Sequence, residues 1–145
     1  GYATVTPYLV CRGAAKAIKL YQDVFGATEL YRLELPRGKI AHAEIQIGDS
    51  VLMIADEILE MGVKSPDTLG GSPVSLNVYV EDCDKTFDEI LKRGGKSLFE
   101  VKDQFHGDRS GKLQDSFGQI WHIATVKEQI DRRQIVERFK SMMQG

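Results

Sequence analysis

The chain has 145 residues, a mass of 16.2 kDa and a net charge of −2, from 19 Lys and Arg against 21 Asp and Glu. That length makes one ordinary domain, or two small modules sharing a core, and buries enough surface to fold without a metal or a disulfide. The 42% hydrophobic and 28% charged residues exclude disorder, the weak acidity gives no pull toward nucleic acid, and the longest apolar run, Val51-Leu52-Met53-Ile54-Ala55, is too short to span a bilayer.

Residues 4–10 alternate toward a strand. Residues 14–25 place Ala14, Ala17, Ile18, Tyr21 and Phe25 on one helical face, and Gly26 is a helix stop. Residues 28–35 make a second strand, rich in β-branched, aromatic and leucine side chains. Pro36-Arg37-Gly38 turns the chain. Two further strands, 40–47 and 51–55, join in a tight hairpin at Gly48-Asp49-Ser50. Residues 57–72 carry Gly62, Pro66, Gly70 and Gly71 and read as a linking loop with room for one helical turn. The order then repeats. Residues 74–80 form a strand, Asp82 is an N-cap, and Cys83, Phe87, Ile90 and Leu91 share the face of a helix that Gly94-Gly95 ends. Residues 97–101 form a short strand. A glycine-bearing stretch from His106 to Leu113 leads to a weaker third strand, and Phe117-Gly118 turns the chain into a last strand at 119–125. In the tail, Ile130, Ile135, Val136, Phe139 and Met143 lie at helical spacing, which suits packing on its own domain or on a partner chain.

Two strand–helix–strand–strand–strand units therefore span about residues 4–55 and 74–125. Gly26 answers to Gly95 at an offset of 69 residues, and Val10 to Val80 and Gly48 to Gly118 at an offset of 70. Matching landmarks at a nearly constant offset point to duplication. The expected organisation is one domain over residues 1–126, with a linker at 56–73, followed by a helical tail at 127–145.

Alternation sorts the strand side chains. In 40–47, Ala41, Ala43, Ile45 and Ile47 oppose His42, Glu44 and Gln46. In 74–80, Val74, Leu76, Val78 and Val80 oppose Ser75, Asn77 and Tyr79. In the first strand, Val5, Pro7 and Leu9 oppose Thr4, Thr6 and Tyr8. The apolar sets suit packing under the helices. The polar sets line a shared cavity if the two sheets curve toward each other, and otherwise face water. His122 stands among apolar residues of the last strand, as a hydrogen-bonded core histidine or as a ligand. In Phe105-His106-Gly107-Asp108-Arg109, His106 and Arg109 suit an anionic ligand and Phe105 an aromatic one; the alternative pairs Asp108 and Arg109 with each other or with water. Cys11 and Cys83 each sit where a first strand turns into its helix, without a histidine nearby in sequence. Two cysteines are too few for a disulfide scaffold, and no basic-then-apolar leader opens the chain, so reduced thiols in a cytoplasmic protein are expected. No phosphate loop, dinucleotide fingerprint or nucleophile elbow is present.

Six segments carry a further signal: Thr6-Pro7-Tyr8-Leu9; Ala17-Ile18-Lys19-Leu20-Tyr21 with Phe25-Gly26-Ala27; Ile40-Ala41-His42-Ala43-Glu44-Ile45; Gly48 through Asp56; Gly107-Asp108-Arg109-Ser110-Gly111; and Asp115-Ser116-Phe117-Gly118. Through them, residues 4–126 resemble the vicinal oxygen chelate superfamily of glyoxalase I, bleomycin-resistance proteins and extradiol dioxygenases, and within it the PhnB-like branch. The resemblance implies an α+β fold of two tandem βαβββ modules forming a U-shaped mixed-sheet cleft, with a C-terminal helix added here. In metal-dependent members four ligands sit at equivalent places in the two modules. Those places fall at Thr6, Met53, Ser75 and His122, of which only His122 is a good ligand for a divalent ion. Glyoxalase I chemistry needs a metal and a carboxylate, and Met53 stands where the carboxylate would be, so that activity is not expected.

The resemblance therefore implies a protein that binds a small molecule, without a cofactor, as a homodimer and with no nucleic-acid or membrane partner. Thr6, Tyr8, His42, Glu44, Ser75, Asn77, Tyr79 and His122 would line the ligand site, with Phe105 and Arg109 at its rim. The alternative is an enzyme. It would be a lyase or dioxygenase with a divalent metal on His42, Glu44 and His122, or a metal-free isomerase with His42 as base and Glu44 as its orienting carboxylate.

Overall fold

In the computed structural model, which describes residues 2–145, the first half of the chain forms β1 (Tyr8–Cys11), α1 (Ala14–Phe25), β2 (Thr28–Glu34), β3 (Ile40–Ile47) and β4 (Ser50–Asp56). A short helix, α2 (Pro66–Leu69), lies in the link. The second half forms β5 (Ser75–Tyr79), α3 (Cys83–Lys92), β6 (Lys96–Asp103), β7 (Asp108–Gln114) and β8 (Ile120–Val126), and α4 (Arg132–Gln144) follows. The two four-stranded sheets have matching orders, β1-β4-β3-β2 and β5-β8-β7-β6. In each, the first strand pairs in parallel with the last, and the remaining pairs are antiparallel. This is the α+β arrangement of two βαβββ modules that the repeat predicts. One compact unit holds the residues up to Val74 together with Ser116–Gln119; the other holds Ser75–Asp115 and Ile120–Gly145.

Each helix covers the apolar face of its own sheet. Ala14, Ala17, Ile18, Tyr21 and Val24 of α1 are buried, as are Leu9, Cys11, Ala43, Ile45, Leu52 and Ile54 of the first sheet. Gly26 closes α1 at a left-handed φ of 69° and donates its N–H to the Gln22 carbonyl. At the other end, the buried Asp56 carboxylate accepts from the N–H groups of Gly13 and Ala14, both at 2.9 Å, and of Ile40 at 2.8 Å. One side chain thus satisfies orphan donors at the start of both α1 and β3. In the second unit, Cys83, Phe87 and Ile90 of α3 are buried, as are Val78, Leu113, Trp121 and Ile123 of its sheet. Asp82 caps α3 by accepting from the Lys85 N–H, and the Thr125 hydroxyl accepts from the Cys83 N–H at 2.9 Å.

Three boundaries differ from the sequence reading. The first strand begins at Tyr8 rather than residue 4, because its ladder with β4 starts at the Tyr8–Met53 pair and Val5 is 82% exposed. The stretch from Asp108 to Gln114 is itself the third strand of the second sheet, not a lead into it. Its polar residues hid a full ladder with β8, in which Gly111 lies opposite Ile123. A Cβ at Gly111 would lie 2.8 Å from the Phe87 ring and 3.0 Å from the Phe99 carbonyl, so close packing requires glycine there. The strand before it is longer than read, Lys96–Asp103 instead of 97–101.

The link folds around Glu57, whose carboxylate accepts from the Ser65 N–H and hydroxyl, from the Thr68 hydroxyl and from Arg12. These donors hold its pKa down at about 2, the Ser65 backbone N–H contributing most. The tail helix starts with a capping box between Asp131 and Gln134. It packs on its own unit through Phe139 against Phe105, ring centroids 5.7 Å apart, and through Arg138, which donates to Glu128 and to the Phe105 carbonyl. Val136, Met142 and Met143 remain exposed. Among the described residues no helix is long and apolar enough to cross a membrane.

Candidate functional site

On the face of the first sheet opposite α1, strand pairing sets Tyr8 beside Met53, Met53 beside Glu44 and Glu44 beside Tyr31. Glu44 is only 3% exposed, and both oxygens are occupied. Oε1 accepts from the Tyr2 hydroxyl at 2.6 Å. Oε2 accepts from the Tyr31 hydroxyl and from His42 Nε2, each at 2.9 Å. The His42 hydrogen bond, then that of Tyr2, holds the Glu44 carboxyl below its usual range, so it is ionised at neutral pH. An ionised carboxylate only accepts, so a neutral His42 carries its proton on Nε2 and offers the Nδ1 lone pair to the Tyr8 hydroxyl, 2.7 Å away. The result is a continuous chain, Tyr8 to His42 to Glu44. Its outer end, Tyr8, is 49% accessible, and Tyr31, which donates to Glu44 at the inner end, is 43% accessible. The hydrogen bond to Glu44 pushes the Tyr2 phenol up to about 12 and raises that of Tyr31; burial, then the Glu44 charge, raises that of Tyr8. All three are protonated donors at neutral pH.

The corresponding row of the second sheet runs Asn77, His122, Lys112, Phe99. Burial, then the Lys112 cation, lowers the His122 imidazole, so it is neutral at pH 7. Lys112 Nζ lies over the Phe99 ring, 5.6 Å from its centroid. Along the sheet, the Tyr79 hydroxyl donates to Asp108 at 2.9 Å, which raises its own pKa. A cavity of about 410 Å³ lies beside the β6–β7 turn, lined by Asp103, Gln104, Gly107, Asp108, Arg109, Lys127 and Glu128.

The residues nominated from sequence separate into groups. Tyr8, His42 and Glu44 form one bonded chain. Asn77 and His122 are register partners, with Ser75 and Tyr79 along the same strand. Thr6 precedes β1, and its hydroxyl reaches the Ala3 carbonyl at 3.5 Å. The Arg109 guanidinium is taken by Asp84 at 2.8 Å and Asp103 at 3.2 Å, while Phe105 stacks against the tail helix. Tyr2, Tyr31 and Lys112 escaped the sequence reading. Tyr31 and Lys112 had a signal only through cross-strand register: a bulge in β2 shifts that of Tyr31 by a residue, and Lys112 pairs regularly with His122 but from a strand the sequence did not reveal. Tyr2 precedes every strand and had none.

The residues do not fit a divalent metal. At the places the family resemblance nominates, the donors are two hydroxyls, the Met53 thioether and one imidazole. His42 and Glu44 spend their nitrogen and oxygen atoms on each other and on tyrosine hydroxyls. Among the described residues no three His, Cys, Asp or Glu side chains are grouped to hold an ion.

Comparison with known proteins agrees with this architecture. The family model for the Glyoxalase/Bleomycin resistance protein/Dioxygenase superfamily matches residues 3–123. An uncharacterized protein of Mycobacterium bovis is 35% identical over 144 residues, 97% of this chain and 95% of that protein. Two solved structures share the fold. The PhnB protein from Bacillus cereus has a TM-score of 0.69 and 18% identity, covering 86% of this chain and all of that one. The fosfomycin resistance protein FosX from Listeria monocytogenes, solved with Mn(II) and sulfate, has a TM-score of 0.68 and 13% identity over 94% of this chain and 97% of that one.

Proposed function

The chain belongs to the glyoxalase/bleomycin resistance protein/dioxygenase superfamily, and from that premise we propose that it binds a small molecule on the face of the first sheet opposite α1, without a resident metal. The observation that carries the proposal is the buried, ionised Glu44 with every oxygen engaged. It fixes His42 and the two tyrosines Tyr2 and Tyr31 in place before any ligand arrives, and such preorganisation lowers the ordering cost of binding. Half-exposed rings at Tyr8 and Tyr31 supply apolar area with polar tips, the composition of small-molecule sites. Ligand-observed NMR with a library of small aromatic and heteroaromatic compounds tests it. Binders are expected to perturb the His42 ring signals and to be lost in Tyr8→Ala. A library in which every hit survives Tyr8→Ala and His42→Ala rejects it.

One observation supports a second reading, a metal-free acid–base enzyme. In the Tyr8–His42–Glu44 chain the carboxylate orients an imidazole that accepts from a half-exposed hydroxyl, so Tyr8, rather than His42, is the group that meets a ligand. Cytoplasmic residence and homodimer formation belong to the same proposal. Neither Cys11 nor Cys83 is in a disulfide, which suits a reducing compartment. The outer strand β2 exposes Leu30 and Leu33, which a second copy would cover. Light scattering at micromolar concentration tests the dimer.

A further inference from the structure

Lys112 occupies a central strand of the second sheet, half-buried, on the face opposite α3. A lysine in that setting is normally paired with a carboxylate. In this unit the described ion pairs involve Lys92, His106, Arg109, Arg133 and Arg138, and none involves Lys112. The Phe99 ring beneath the ammonium attracts it and holds it over the sheet, but leaves its charge uncompensated. The register partner His122 is neutral at pH 7 and keeps one N–H to donate, and the exposed Asn77 beside it carries an amide NH₂. No carboxylate stands in this row. Asp108, four residues along β7 from Lys112, already accepts from Tyr79.

A single cation flanked by two neutral donors, with no acid to match it, is complementary to an anion. We propose that Lys112, with His122 and Asn77, forms an anion-recognition subsite that takes the carboxylate or phosphate group of a small-molecule ligand. Lys112 supplies the charge, His122 and Asn77 supply directional hydrogen bonds, and Phe99 positions the lysine. The subsite lies on the second sheet and stands whether or not the first sheet binds a ligand.

The test is a titration of the whole protein by NMR with three probes: benzoate, inorganic phosphate and, as the neutral control, benzamide. Saturable shifts at the His122 ring and the Lys112 ε-methylene are expected with an anion and not with benzamide. A response to benzoate alone assigns a carboxylate, to phosphate alone a phosphate, and to both the shared charge. Lys112→Gln should weaken binding by about tenfold or more, the scale of one charge-assisted hydrogen bond. Lys112→Arg should retain it, and added salt should weaken it in the parent protein. Melting curves establish that both variants are folded. Absence of anion-dependent shifts at His122 and Lys112, or an unchanged affinity in folded Lys112→Gln, overturns the proposal. His42 signals, read in the same spectra, report on the first sheet separately.

Discussion

The two sheets agree in strand order and in the pairing of four successive positions, yet those positions carry opposite chemistry. The first holds Tyr8, Met53, Glu44 and Tyr31; the second holds Asn77, His122, Lys112 and Phe99. One row is built around a buried anion whose oxygens are all satisfied by neighbours. The other is built around a cation that takes part in none of the described ion pairs. The folding requirement falls on the helix-facing side, where both halves alternate apolar residues. The opposite side was left to diverge in charge without disturbing the ladder.

The largest expected effect tests how the halves anchor their helices. Asp56 ends β4 and satisfies three backbone N–H groups, while Thr125, near the end of β8, satisfies one. Asp56→Ala leaves three donors without their partner and should cost about 3 kcal/mol or more; Thr125→Val should cost about 1 kcal/mol. Urea denaturation measures both. Equal costs would mean that the anchors are interchangeable after all.

Next in size is the contrast between Ala43 and Gly111, each opposite the buried isoleucine of its neighbouring strand, Ile54 and Ile123. The second sheet packs Phe87 where the first tolerates a methyl. Gly111→Ala should therefore cost about 1–3 kcal/mol by overpacking, and Ala43→Gly about 1 kcal/mol by backbone entropy. A neutral Gly111→Ala would show that α3 sits less tightly on its sheet than α1 does. In the rows themselves, Glu44→Gln should lower the melting temperature measurably, since His42, Tyr2 and Tyr31 lose a charged acceptor. Lys112→Met, which breaks no ion pair, should stay within about 0.5 kcal/mol.

The same contrast explains what was legible beforehand. Helix α1 could be read to the residue, because an apolar stripe and a left-handed glycine coincide at Phe25 and Gly26. The duplication was legible because turn glycines recur at a nearly constant offset of 69 to 70 residues. Strand β7 was not, because Asp-Arg-Ser-Gly-Lys sets Asp, Ser and Lys on one face and Arg with a packing glycine on the other, and neither set resembles strand chemistry. The placement of His42 and Glu44 on one face followed from alternation alone. Their partners did not: Tyr31 joins its row across the bulged β2, Lys112 from a strand that was not read as one, and Tyr2 from outside any strand. Arg109 was read as a rim residue or as a partner of Asp108 or water; its guanidinium pairs with Asp84, 25 residues away and invisible to local reading, and with Asp103.

The smallest effect separates the two halves by pH. Glu44 in the first sheet and His122 in the second both titrate below their ordinary values, 4.5 and 6.5. A depressed folded value means that protonation favours the unfolded chain. Each group's contribution is complete above its ordinary value and is lost as pH falls toward its folded value. The windows therefore do not coincide. Acid should begin to weaken the second sheet from about pH 6.5, where burial and Lys112 resist a second cation. The first sheet should hold until pH falls below about 4.5. His122→Asn should flatten the melting-temperature profile between pH 7 and 5 and leave the steeper acid limb. Glu44→Gln should leave the pH 7 to 5 stretch unchanged and make the acid limb less steep without removing it, because Glu57 also titrates low. Because His122 is only partly buried, its limb is shallow, and it is best read by amide exchange at β8 against β4. Protection that falls in both strands together above pH 5 would show that the acid response does not divide between the halves.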